Sequence, residues 1–155
     1  MKKLVAIIMA GMIMTFTMAG CGGENTADVD LSSVMATIDT EYPNEMQDIT
    51  TTDDLNKYYS IDAADVKSFA AEYNKNGGVD EVILIEATDA DAAKRVEEKL
   101  QTRYNSKKQQ GASYSAEDLQ VINECSVKTN GNFVSLIVSS NASGMEEIYN
   151  TALNG

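Results

Sequence analysis

The run Val82-Ile83-Leu84-Ile85 constrains this chain more than any other stretch. A strand with one wetted face alternates apolar and polar residues, and this run does not alternate. Val79 to Ala87 is therefore predicted to be a central, covered strand. Its cover and partners follow directly. Asp89 is placed to cap a long helix reaching about Lys107, with Ala92, Ala93, Val96, Leu100 and Tyr104 on the inner face. Lys94 and Glu98 stand at i, i+4 on the outer face, where an ion pair contributes at most about 0.5 kcal/mol. The polar stretch Ser106 to Ser115 reads as a loop, and Ser115-Ala116-Glu117-Asp118 as an opening helical turn before a strand to about Lys128. Asn130-Gly131 then separates that strand from Phe133-Val134-Ser135-Leu136-Ile137-Val138, a hairpin signal. Asn141 or Ser143 caps a last helix carrying Met145, Ile148, Tyr149 and Ala152.

Three short helices are predicted ahead of this unit. Asp30 caps the first, whose stripe is Leu31, Val34, Met35 and Ile38, and Pro43 marks its end. Thr51-Thr52-Asp53-Asp54 starts the second, with Leu55, Tyr58 and Tyr59; one tyrosine should face the core and the other the surface. Asp62 caps the third, with Val66, Phe69, Ala70 and Tyr73 on one face and Asn76-Gly77-Gly78 as its stop. The order is three helices, then β-α-β-β-α. It predicts an α+β domain built on a three-stranded split β-α-β sheet. The last strand lies between the other two, antiparallel to both, and the helices cover one face. The crossover is right-handed.

The chain begins like a secreted precursor. Lys2 and Lys3 form a positive head, and Leu4 to Met18 is an uncharged, mostly apolar segment too short to read as a membrane span. Met18-Ala19-Gly20-Cys21 has the form of a lipobox: an apolar residue, two small residues, then Cys. Met18, Ala19 and Gly20 present the backbone to a signal peptidase, and the Cys21 thiol takes the diacylglycerol with its palmitate-type chains. Gly22 to Asp28 is small and polar, as a tether requires. Two acyl chains hold a protein to a bilayer stably where one does so marginally. The expected organisation is a signal peptide at 1–20, a tether at 21–29 and one domain at 30–155, lipid-anchored on the extracytoplasmic face of the cell membrane.

Charge and residue content narrow the chemistry. Lys2 and Lys3 fall in the leader, so the rest of the chain holds 10 basic against 24 acidic residues, a formal charge of −14. That surface repels phosphate backbones, so nucleic acid is not expected as a partner. It repels anionic headgroups too, so attachment rests on the lipid at Cys21. Histidine is absent, which removes Ser-His-Asp and Cys-His machinery. With Cys21 alkylated, Cys125 is left unpaired; alternation places it beside Val121 and Val127 as a buried, inert thiol. Asp89-Ala90-Asp91 and Asp53-Asp54 lack the ligand spacing of a calcium loop and read as helix caps. Ser106-Lys107 reads as a solvated pair, and Gly77-Gly78 as a turn. No metal or other cofactor is expected.

Several stretches together carry a resemblance. They are the lipobox, the acidic linker, the Asp30-Leu31 helix start, Leu55-Asn56-Lys57-Tyr58-Tyr59-Ser60-Ile61-Asp62, the strand Glu81 to Ala87, the Ala-, Glu- and Lys-rich helix, and the hairpin Val127 to Val138. The chain resembles a family of small Gram-positive bacterial lipoproteins catalogued as a domain of unknown function. Members often carry a Leu-Tyr-Gly-Ile-Asp type of stretch, so Ser60 stands where Gly is expected. The resemblance implies an envelope location and a compact α+β fold, and brings no site residues. The expectation is a non-catalytic binding module, not an enzyme, for a protein or cell-wall partner. The alternative is a small-ligand binding or sensing domain using the sheet's uncovered face.

Overall fold

Every residue of the strand Glu81–Ala87 is buried, and so is every residue of Phe133–Val138. Both are sandwiched, as unbroken apolar runs require. The computed structural model describes residues 29–155. In chain order the elements are α1 (Leu31–Glu41), β1 (Gln47–Ile49), α2 (Thr52–Tyr59), β2 (Val66–Tyr73), β3 (Glu81–Ala87), α3 (Ala90–Gln109), α4 (Ala116–Glu124), β4 (Val127–Asn130), β5 (Phe133–Val138) and α5 (Ala142–Asn154). Single 3-10 turns stand at Ala63–Asp65 and Gln110–Ser113. The sheet order is β1-β2-β3-β5-β4, with every neighbouring pair antiparallel.

The predicted β5 position is correct: β5 lies between β3 and β4 and opposes both. The predicted extent of the sheet is not. It has five strands where three were expected, and the third predicted helix is β2. Val66, Phe69, Ala70 and Tyr73 fit a helical stripe, but the inward positions of the real strand include Ser68 and Glu72. Those two polar residues hide the alternation that would have announced a strand. A register shift between Val66 and Ser68 blurs it further. Asp62 still caps as read, but it caps the 3-10 turn, through the Ala64 N–H.

Helices also cover both faces, so the expected uncovered face does not exist at β3 or β5. Ile83, Ile85, Val134, Leu136 and Val138 pack with Leu55, Val96, Leu100 and Ile122 from α2, α3 and α4. Val82, Leu84, Phe133 and Ile137 pack with Val34, Ile38, Met145, Tyr149 and Leu153 from α1 and α5. Each fully buried aliphatic side chain stabilises the fold by about 1.5–3 kcal/mol. Val29, expected at the end of the tether, is buried in the second cluster and so belongs to the folded unit.

The helix ends follow the capping residues. Asp30 accepts from the N–H groups of Ser32 and Ser33, Asp89 from those of Asp91 and Ala92, and Ser115 and Asp118 form a reciprocal capping box. The box starts a nine-residue helix, so Val121 to Cys125 is helix and its end, not strand. α3 runs to Gln109, through the residues expected to be loop. Lys94 pairs with Asp91 at 3.0 Å instead of with Glu98. The β4–β5 turn sets Gly131 at φ +58°, a conformation glycine adopts without a Cβ penalty. Among the described residues, no helix is long and apolar enough to cross a membrane.

Candidate functional site

The last turn of α2 splits its two tyrosines as the sequence predicts. Tyr59 is buried, and Tyr58, 40% exposed, is the one large apolar side chain on the surface among the described residues. Ser60 ends the helix at φ +57°, ψ +30°, the left-handed region. That is the geometry a C-terminal glycine usually supplies, which accounts physically for the glycine expected at this position. Asn56 holds the turn by donating to the Ile61 carbonyl. The Tyr58 ring leans on Tyr73 of β2, with centroids 5.0 Å apart and planes inclined at 37°. The Lys57 ammonium lies 5.0 Å from the same Tyr58 ring.

Helix α3 passes beside this turn. Lys99, Thr102, Arg103 and Ser106 lie at i, i+3, i+4 and i+7, one stripe of the helix. With Tyr58, Tyr59 and Ser60 they enclose an open recess of about 290 Å³. The Thr102 and Ser106 hydroxyls donate to the carbonyls of Glu98 and Thr102. Their protons are therefore committed, and the cations are left as the chemically distinctive groups of the recess.

Arg103 is fixed from below. Its Nε and Nη2 donate to Glu81 Oε2 at 3.2 and 2.9 Å, and its guanidinium lies 5.5 Å from the Tyr59 ring centroid. Glu81 is fully buried, and its Oε2 also accepts from the Tyr59 hydroxyl at 3.3 Å. Lys107, only 5% exposed, places its Nζ 3.5 Å from Glu81 and donates to the Val79 carbonyl at 2.6 Å. Two cations thus surround one carboxylate. Burial works against the charge on Arg103, but the Glu81 carboxylate outweighs it and holds the guanidinium pKa above its usual value. Burial lowers the Lys107 ammonium despite Glu81. Burial, then the Glu81 charge, pushes the Tyr59 phenol well up. Glu81 Oε1 has no hydrogen-bond partner among the described residues.

Two further glutamates are buried on the opposite face. Glu86 accepts from Lys67 Nζ at 2.6 Å and from Ser68 Oγ at 3.0 Å. Glu72, 2% exposed, accepts from Asn44 Nδ2 at 3.3 Å, and the same amide donates to Asp39 at 3.1 Å. Burial, with Asp39 and Asp48 nearby, raises the Glu72 carboxyl to about 7.

The residues singled out in the sequence do not converge. Met18, Ala19, Gly20 and Cys21 lie outside the described residues. Cys125 is buried as expected, but at the end of α4, where its Sγ donates to the Val121 carbonyl at 3.1 Å. Burial raises its thiol, which suits an inert side chain. Asp89 caps α3, and Asp54 accepts from Thr51 Oγ1 at the start of α2. Ser106-Lys107 is not a solvated loop pair; both residues are in α3, and Lys107 turns inward to Val79 and Glu81. Gly77-Gly78 is a turn, between β2 and β3. Glu81, Lys99 and Arg103 are the residues the sequence reading missed. Their signal was the spacing of Lys99, Arg103 and Lys107 at i, i+4 and i+8, set against an acid at the head of an apolar strand.

Residues 39–139 match the family model described as Domain of unknown function (DUF4358), more than half of the chain, so the chain belongs to that family. No curated protein and no solved structure matches it. The matched segment runs from the last turn of α1 to the end of β5, and α5 lies beyond it.

Proposed function

We propose that this member of the DUF4358 family is a lipoprotein, anchored through Cys21 on the extracytoplasmic face of the membrane. There it acts as a non-catalytic module that binds a protein or cell-wall partner. The anchor reading is supported by Met18-Ala19-Gly20-Cys21 behind a short apolar leader. The observation that carries the binding reading is Tyr58. It is an exposed ring braced by Tyr73, on the rim of a recess lined by Lys99 and by Arg103, the latter fixed by the buried Glu81. Exposed aromatics and arginines are the side chains that anchor interfaces. Fixed cations and a ring hold a partner, whereas bond-breaking needs a proton acceptor or nucleophile aimed at it.

The test has two arms in intact cells. An alkyne-labelled fatty acid should mark the wild-type chain and leave Cys21→Ser unlabelled. Formaldehyde should trap the wild-type chain in a discrete adduct or in the wall fraction, and Tyr58→Ala should lose most of that signal. An unlabelled wild-type chain contradicts the anchor, and a wild-type chain that stays free contradicts the binding role.

A further inference from the structure

The recess beside Tyr58 holds more positive charge than its own carboxylate cancels. Glu81 is shared by Arg103 and Lys107, while Lys99 lines the same recess and makes no ion pair among the described residues. The adjoining recess along α3 makes the contrast. That recess shares Ser60 and Lys99 with this one, but its lining also carries Asp62, Asp65 and Glu98, and its Arg95 is spent on Asp65 through three hydrogen bonds. One helix therefore borders a recess lined by three carboxylates and, one turn later, a recess whose only charged lining residues are the cations Lys99 and Arg103.

The cationic recess is also organised. Glu81 and the Tyr59 ring hold the Arg103 plane in place, and its Nη1 has no protein partner among the described residues. The hydroxyls of Thr102 and Ser106 donate their hydrogen bonds to backbone carbonyls. The remaining donors include Lys99, the free edge of Arg103 and the Ser60 hydroxyl. Donors in excess over acceptors, with a planar guanidinium among them, suit an oxyanion. Tyr58 adds a flat apolar surface on the rim. We infer that the recess binds a sugar carrying an oxyanion, with Lys99 and Arg103 on the charged group and Tyr58 against the ring. This rests on the recess being the surface through which the module makes its contact.

Isothermal titration of the purified full chain in detergent tests it, with glucose 1-phosphate, glucuronate, neutral glucose and a phosphodiester-linked glycopolymer as probes. The two anionic sugars should bind saturably and glucose should not. Lys99→Gln and Tyr58→Ala should each weaken binding by roughly tenfold without moving the melting temperature. Arg103→Lys keeps the charge but loses the fork, and should fall between them and the wild type. Tighter binding of the polymer assigns the ligand to the wall, and equal affinity assigns it to free sugars. Binding of glucose as good as that of its phosphate, or affinity untouched by both substitutions, overturns the inference, as does no binding at all. If the probes fail while the cellular adduct still depends on Tyr58, the contact surface stands and the ligand class falls.

Discussion

On the α3 face of the sheet, Glu81 is fully buried with Arg103 and Lys107 against it. On the α1 face, Glu72 is almost as deeply buried, with Asp39 and Asp48 near it and the Asn44 amide to bond it. The two carboxylates are close in the sheet, since Glu81 pairs with Tyr73, the residue after Glu72. They differ in what the helices above them bring. α3 contributes two cations, Arg103 and Lys107, against its acid. α1 contributes Asp39, which favours keeping Glu72 protonated. The first face is a charged platform under an open recess, and the second is a packed face whose stability follows pH.

The largest effect should come from unbalancing the platform. Lys107→Met leaves Glu81 with one cation and the Val79 carbonyl without its donor. Unfolding in urea should show a loss of about 3–5 kcal/mol. Adding Glu81→Leu should recover only part of it, because the apolar replacement that removes the orphaned carboxylate also takes the acceptor from Arg103 and from the Tyr59 hydroxyl. A single substitution with no cost would mean that Lys107 is a bystander.

The α1 face should respond in the opposite direction. Glu72 rises from 4.5 to about 7 on folding, so its favourable contribution is complete below pH 4.5 and is lost as pH climbs through about 7. Glu72→Gln keeps an acceptor for Asn44 and removes the charge. It should stabilise the chain by roughly 1–3 kcal/mol at pH 8 and change little at pH 4. Equal effects at both pH values would show that Glu72 is not the group that titrates.

Two smaller effects sharpen the contrast. The buried Tyr149 hydroxyl on the α5 side lacks a hydrogen-bond partner among the described residues. Tyr149→Phe should therefore be neutral or stabilising by up to about 1 kcal/mol. A loss of stability would reveal a partner for that hydroxyl. On the α2 side, Ser60→Gly should gain about 0.5–1 kcal/mol by relieving the left-handed backbone. Thermal melting reads both.

What the sequence displayed follows from the same physics. β3, the inner face of α3, the β4–β5 hairpin and the acidic caps were legible because each is written in contiguous residues. β2 was not, because Ser68 and Glu72 occupy inward positions that a half-buried strand normally fills with apolar groups. The Tyr58 and Tyr59 division was readable from one helical turn. The platform beneath it was not, since Glu81 and Arg103 stand 22 residues apart and meet only through the fold.

A photoreactive residue substituted at position 58, and separately at the exposed Asn150 on α5, tests the functional account most directly. In intact cells, irradiation should yield a discrete adduct from position 58 and none from position 150. Equal adducts from both positions, or an adduct from position 150 alone, would contradict the claim that the α2–α3 recess is the working face.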